Sequence, residues 1–285
     1  MSTEPLLSVV VPVYRHWALA PDLVAALAAQ SLEADRFEIL IVDNDGAAPD
    51  LALPANARIL ACAAPGSYAA RNAGVAAARG ALIAFTDADC RPEPGWLAAL
   101  AAAAAETPGH LLAGPVEIGR PARDTPAAVY DRVRGIPQAR YVARGYAATA
   151  NLAVPAEAFR AAGGFAPERF SGGDAAFCRA AGARGFPIRL VPGAAVVHLC
   201  RTGWDGIATK ARRTKGGQVA AGPLPRRAAW ILRTLSPPVR DTLAYLRAPF
   251  PARERAMAVA MRFRIWGVEL AETARLLAGG APERR

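Results

Sequence analysis

The sequence predicts an α/β fold: a sheet built largely from parallel strands, flanked by helices, and followed by a basic α-helical C-terminal extension. Three observations carry this. Continuous runs of β-branched residues alternate with segments of helical periodicity. Acidic residues appear where two of these runs end, in "VDNDG" and "FTDADC". And the charge is divided unevenly: residues 1–200 carry 17 Arg, no Lys and 18 acids, a balance of −1, whereas residues 201–285 carry 17 Lys+Arg and 6 acids, a balance of +11.

The first element is "LLSVVVPVY" (6–14), a run buried on both faces of its strand. "PDLVAALAAQS" (21–31) follows, with a proline suited to a first helical turn and apolar residues at helical spacing. "RFEILIVDNDG" (36–46) is the second buried strand and "ARILACA" (57–63) a third, shorter one. "GSYAARNAGVAAARG" (66–80) reads as a helix between Gly/Ser and Gly80. "ALIAFTD" (81–87) is the fourth strand and "EPGWLAALAAAAAE" (93–106) the next helix. Beyond about residue 110 the pattern loosens. "HLLAGPVEIG" and "YAATANLAVP" read as strands, "PAEAFRAAGGF" (155–165) and "SGGDAAFCRAAGARGF" (171–186) as helices, and "PIRLVPGAAVVH" (187–198) as one or two short strands ending at His198. From 201 the chain is basic and helical, its segments separated by Pro237–Pro238 and by Pro249 and Pro251.

Composition narrows the classes further. The chain of 285 residues is long enough for a full core. Alanine inflates the 53 % hydrophobic content, and the longest apolar run, "WLAALAAAAAE", is too short to span a bilayer. The start has no basic region ahead of an apolar one, so no signal peptide is expected. Cys62, Cys90, Cys178 and Cys200 are far apart with no CxxC pair, which argues against a disulfide framework or a zinc site and for a reducing, cytoplasmic setting.

In an open parallel sheet, ligands sit beyond the carboxyl ends of the strands, which places Asp43, Asp45, Asp87 and Asp89 along one edge. Asp87 and Asp89 suit a divalent cation with hard oxygen ligands, a diphosphate supplying further oxygens; a turn with Asp89 capping the next helix is the plainer reading. Asp43 suits hydrogen bonds from a base or a ribose, or else an Asx turn. Arg71, near a helix start, suits phosphate or simply the solvent face. Asp174 follows two glycines that allow close backbone approach; it suits either a proton acceptor or a helix cap. His198 suits a divalent ion or a structural role.

The order of "LSVVVPVYR", "ILIVDNDG", "GSYAARNAGVAAARGALIAFTDADCRPEPGWL" and "SGGDAAFCRAAGARGFPIRLVPGAAVVH" resembles that of family 2 glycosyltransferases with the GT-A fold, over roughly residues 6–200. The resemblance implies a GT-A domain over 1–200, with a Rossmann-like nucleotide-binding sheet, and a basic helical extension over 201–285. It implies inverting, metal-dependent transfer from a nucleotide-sugar donor, with UDP the first expectation, and Mn2+ or Mg2+ as cofactor. Pro12, Asp43, Asn44, Arg71 and Asp87 would serve the donor nucleotide, Asp89 and His198 the metal, and Asp174 the base. The acceptor would be a saccharide or a lipid-linked hydroxyl in cell-surface polysaccharide or glycolipid assembly. The QxxRW signature of processive synthases is absent, so single addition is expected. Tyr141, Tyr146 and Asn151 are further candidates for acceptor contact.

The tail segments 225–236 and 252–277 mix Arg with Trp, Phe, Met and Leu at roughly helical spacing, which suits an anionic membrane interface, packing on the body, or pairing in a homo-oligomer. Peripheral placement on the inner face of the cell membrane is thus a further expectation. A nucleotidyltransferase-like enzyme, or a non-catalytic protein binding nucleotide or nucleic acid, are the competing classes. The first lacks its glycine-rich loop after strand one, and the acidic edge would repel a polyanion.

Overall fold

A computed structural model describes residues 4–283 and divides the chain into two units. The first comprises the chain up to Glu117, Ile136–Pro167 and Gly173–His198. The second comprises Ile118–Gly135, Glu168–Gly172 and the chain from Leu199 onward.

The first unit is built on a seven-stranded mixed sheet. Its strands are β1 (Leu7–Val13), β2 (Phe37–Asp43), β3 (Ala57–Ala61) and β4 (Leu82–Phe85), joined by β6 (Leu111–Ala113), β8 (Leu152–Pro155) and β9 (Ile188–Leu190) in the order β3-β2-β1-β4-β8-β6-β9. β1 to β4 are parallel neighbours, as expected for strands linked through helices. β8 departs from the parallel expectation, running antiparallel to both β4 and β6. A smaller sheet sets β5 (Cys90–Pro92), β10 (Val196–His198) and β7 (Val116–Ile118) side by side in the order β5-β10-β7. The stretch 187–198 thus supplies two strands, one for each sheet.

Helices cover both faces. On one, α1 (Ala20–Ala28) and α3 (Trp96–Glu106) pack Leu23, Leu27, Trp96 and Leu100 against Val9, Val11, Ile39 and Ile41. On the other, α2 (Ser67–Ala77), α6 (Ala156–Ala162) and α7 (Gly173–Gly182) pack against Val10, Leu40, Val42 and Phe85. Alternate residues of β1 and β2 serve opposite layers, which is why these runs are apolar without a break. Gly74 lets α2 lie close to the sheet, since a Cβ there would fall 2.4 Å from Val10 Cγ1. Between β7 and β8 the chain forms α4 (Pro126–Arg134), in the second unit, and α5 (Gln138–Val142), in the first.

The second unit is helical: α4, then α8 (Trp204–Lys215), a π-helical turn (Gly216–Ala220), α9 (Leu224–Leu235), α10 (Val239–Leu246) and α11 (Ala252–Leu277). Its core joins Val129, Tyr130 and Val133 of α4 to Ile207 of α8 and to Ala258, Met261 and Ile265 of α11. The long segment 252–277 therefore packs on neighbouring helices.

Candidate functional site

The acids do meet at one sheet edge. β2 ends at Asp43, level with Val13 of β1, and β4 runs parallel to β1 with Phe85 opposite Val10. Thr86 to Asp89 then bridge β4 of the large sheet to β5 of the small one. Because β5 comes directly after Asp89 and α3 starts only at Trp96, Asp89 caps no helix.

Asp87 is ion-paired with Arg71 on α2, a guanidinium only 4 % exposed. The solvent-face reading of Arg71 is thus overturned. Burying an arginine demands a charged partner, and Asp87 supplies it. Arg71 Nε has no hydrogen-bond partner despite burial. The guanidinium lies 5.9 Å from the ring centre of Tyr68, one turn earlier on the helix.

Tyr68 links this pair to Asp174. Its hydroxyl donates to Asp174 Oδ1 at 2.5 Å and accepts from the Gly173 amide at 2.8 Å. Burial, and then the Asp174 charge, push the Tyr68 hydroxyl far above its ordinary pKa, so it stays a donor. Asp174 Oδ2 accepts from the Thr149 amide at 3.2 Å and hydroxyl at 3.4 Å. Asp174 lies in the first turn of α7, where a carboxylate also meets the positive end of the helix. Gly173 is necessary here, because a Cβ would fall 2.5–2.8 Å from the Tyr68 ring.

On the other side of the bridge, Asp89 Oδ2 lies 3.4 Å from His198 Nε2. Strand pairing sets this, since His198 is level with Cys90 across the β5–β10 ladder. Asp89, Cys90 and His198 offer donor atoms within 4.8 Å of one another. Burial, reinforced by the charges of Asp87 and Asp89, pushes the Cys90 thiol well above its ordinary pKa, so it is held as a neutral thiol. That leaves a carboxylate oxygen and an imidazole nitrogen, a donor set that fits Mn2+ or Mg2+ when a diphosphate completes the shell.

Asp43 is drawn inward. Its carboxylate accepts from the amides of Asp45, Gly46 and Ala48 at 2.9–3.2 Å, an Asx-type turn. Asn44 donates to the carbonyls of Cys62 and Ala64 and accepts from the Gly66 amide, so its side chain clasps the loop entering α2. Pro12 sits opposite Val42, one residue inside the same edge. Asp45 takes the Trp17 indole N–H at 3.0 Å, tying the loop after β1 to that after β2.

Among the acceptor candidates, Asn151 is fully buried. It accepts from the Trp96 indole and donates to the carbonyls of Pro115 and Ala194, knitting the two sheets together. It has no exposed surface to offer an acceptor. Tyr141 and Tyr146 stack at 4.9 Å, with Arg179 over the Tyr146 ring.

Two sets of contacts therefore flank the Thr86–Asp89 bridge, Asp89 with His198 on one side and Asp87 through Arg71 and Tyr68 to Asp174 on the other. Tyr68 and Thr149 carry no signal of this role in the sequence. Tyr68 lies inside "GSYAARNAG", but its partner is 106 residues away and no spacing marks the pair. A cleft of about 1320 Å³ opens at the opposite sheet end, around Leu6, Gly80 and Pro155. It holds none of these residues, and we assign the site by where the chemistry converges.

The family model "Glycosyl transferase family 2" matches residues 8–169. The glycosyltransferase AglE of Haloferax volcanii is 29 % identical over 96 % of this chain and 95 % of its own. Among solved structures, the mannosyltransferase PcManGT of Pyrobaculum calidifontis, in complex with GDP-Man and Mn2+, superposes with a TM-score of 0.58 at 18 % identity, over 96 % of this chain and 87 % of that one. TarS 1–349 of S. aureus in complex with UDP-GlcNAc gives 0.54 at 16 % identity, over 96 % and 92 %. At such identities the structural likeness speaks for the GT-A fold.

Proposed function

The chain belongs to glycosyl transferase family 2 and is a glycosyltransferase, and from that premise we propose that it moves one sugar from a nucleotide-sugar donor to an acceptor hydroxyl with inversion at the anomeric carbon. The observation carrying this reading is the Asp174 carboxylate, held on one oxygen by Tyr68 and on the other by Thr149, and joined through Tyr68 and Arg71 to Asp87, two residues before Asp89.

Asp174 takes the proton of the acceptor hydroxyl as that oxygen bonds to the anomeric carbon. The bond from that carbon to the diphosphate breaks, and the nucleoside diphosphate leaves with the electron pair. A single displacement needs no enzyme nucleophile. Arg71 places positive charge beside Asp87 at the donor end, and Asp43 and Asp45 shape the loops where the base and ribose would lie. Asp89 and His198 would hold a divalent cation, which when bound supplies charge neutralisation for the departing diphosphate. UDP is the first expectation for the nucleotide. The acceptor is a saccharide or lipid-linked hydroxyl in cell-surface polysaccharide or glycolipid assembly, reached from the cytoplasmic side.

Calorimetric titration of UDP, GDP and dTDP with and without Mn2+ tests the reading. One nucleotide binds in a metal-dependent way, and Asp89→Ala abolishes that binding. Asp174→Asn abolishes transfer and leaves nucleotide affinity unchanged. Binding of none of the three with metal present, or turnover by Asp174→Asn, overturns it.

A further inference from the structure

Two consecutive helices of the second unit present their apolar stripes outward. On α9, Leu224, Leu232 and Leu235 lie along one side at helical spacing, and on α10, Val239, Leu243 and Leu246 do the same. These six are 45–74 % exposed. The inward sides are polar or aromatic. Thr234 of α9 is buried, accepts from Lys215 Nζ at 2.8 Å, and its carbonyl takes the Trp266 indole N–H at 2.7 Å. Tyr245 of α10 is buried edge-on against Tyr130, and Asp241 pairs with Arg262 at 2.7 Å. A surface helix ordinarily buries its apolar stripe, so this arrangement is reversed. Exposed apolar stripes of this kind, joined through the short Ser236–Pro238 turn, mark an interaction site.

The charge around the stripes identifies the occupant. Residues 224–247 carry five arginines, Arg226, Arg227, Arg233, Arg240 and Arg247, and a single acid, Asp241, which Arg262 engages. None of the five has an acidic partner among the described residues: Arg226 and Arg227 donate to backbone carbonyls, and Arg233 lies over the Trp230 ring. An apolar stripe rimmed by uncompensated arginines fits a surface apolar below and anionic at its boundary. No described helix is long and apolar enough to cross a membrane, so any lipid contact here is in the plane of the interface.

We propose that the exposed stripes of α9 and α10, with Leu232, Leu235, Val239 and Leu243 flanking the turn between them and Arg233 and Arg240 beside them, form a docking surface for an anionic lipid bilayer. α11 turns Ala258, Met261 and Ile265 into the core of the unit, so the proposed lipid-facing role is placed on residues 224–247. Docking of this kind needs neither donor nor acceptor, and so stands apart from the proposed reaction.

Co-sedimentation of the full chain with phosphatidylcholine vesicles, with and without phosphatidylglycerol, tests it. The protein sediments with the anionic vesicles and its binding weakens with salt. Leu232→Glu/Leu235→Glu lowers the partition by at least about tenfold, since it places charge in the apolar layer. Arg233→Glu/Arg240→Glu lowers it by a similar factor and flattens the salt dependence. Circular dichroism and thermal midpoints establish that both variants fold. Failure of the parent chain to sediment with either vesicle overturns the proposal, as does undiminished sedimentation of both folded variants. So does a dimer, seen by light scattering, that the leucine variant dissociates while vesicles bind neither protein; the face would then be covered by a second copy.

Discussion

The Tyr68 hydroxyl donates to Asp174 Oδ1 at 2.5 Å while accepting from the Gly173 amide at 2.8 Å, so one side chain of α2 sets both the aim of the carboxylate and the start of the helix that carries it. Tyr68→Phe keeps the ring and removes the link. The expected outcome is a fall in kcat of about 10- to 100-fold, the scale for loss of alignment at a reacting group. Nucleotide affinity by calorimetry stays within about twofold. An equal loss in both would place Tyr68 in donor binding instead.

Gly173 has a sharper consequence. A methyl group there would lie 2.5–2.8 Å from the Tyr68 ring, so Gly173→Ala should cost about 1–3 kcal/mol by overpacking. Chemical denaturation measures this. Adding Tyr68→Leu relieves the clash and restores part of the stability, but not the turnover. If both recover together, the ring acts only as packing.

Arg71 and Asp87 form a pair in which the cation is the buried member. Arg71→Met removes the charge that compensates Asp87 and should weaken nucleotide binding at least about tenfold, with a stability loss of roughly 1–3 kcal/mol. Arg71→Lys keeps the charge but loses the planar fork, and falls between the two. Titration of the nucleotide against each purified variant ranks them. Equal affinities across the series would remove Arg71 from the donor site.

Acid stability depends on Glu38, at the far end of β2. Burial alone would raise its carboxyl, but hydrogen bonds from the Arg79 amide and Ser8, with the Arg79 guanidinium, outweigh it and hold Glu38 below its ordinary value of 4.5. A depressed carboxylate stabilises the fold above its unfolded value, and that contribution is lost as pH falls through the folded one. Asp131 behaves in the same sense: burial opposes ionisation and Arg201 overcomes it. The thermal midpoint should therefore be level above about pH 5 and drop below about 4.5. Glu38→Gln lowers the midpoint at pH 7 and makes the acid drop shallower. An unchanged slope would remove Glu38 as its source.

The parts legible in the sequence were those that local chemistry decides. β1, β2 and β4 follow from unbroken β-branched runs, and α11 from a periodic stretch after Pro251. The sharing of one sheet edge by the acids at the strand ends was legible as well, since parallel strands share one polarity. Hidden were the features set by long-range pairing. β8 runs against β4, and no local pattern distinguishes that direction. The Arg71–Asp87 ion pair could be read equally well as two solvated charges. Asn151 reads as a free polar residue, yet it holds the Pro115 and Ala194 carbonyls in the core. For the segment that became α9 periodicity revealed a stripe but not the direction it faces, and α10 was read only as part of a helical tail, because both depend on what Thr234 and Tyr245 find on the inward side.

The level pairing of His198 with Cys90 has a consequence for how this chain can change length. Side chains of a strand alternate between faces, so a single residue inserted or deleted within Val196–His198 turns the imidazole away from Asp89. A two-residue change keeps the face and shifts the imidazole along the ladder. The connection Val191–Ala195 offers no slack either, since Ala194 is buried with its carbonyl held by Asn151 and the Ala195 carbonyl accepts from the Glu93 amide. The arithmetic from Val191 to His198 should therefore be held constant among chains that keep this site.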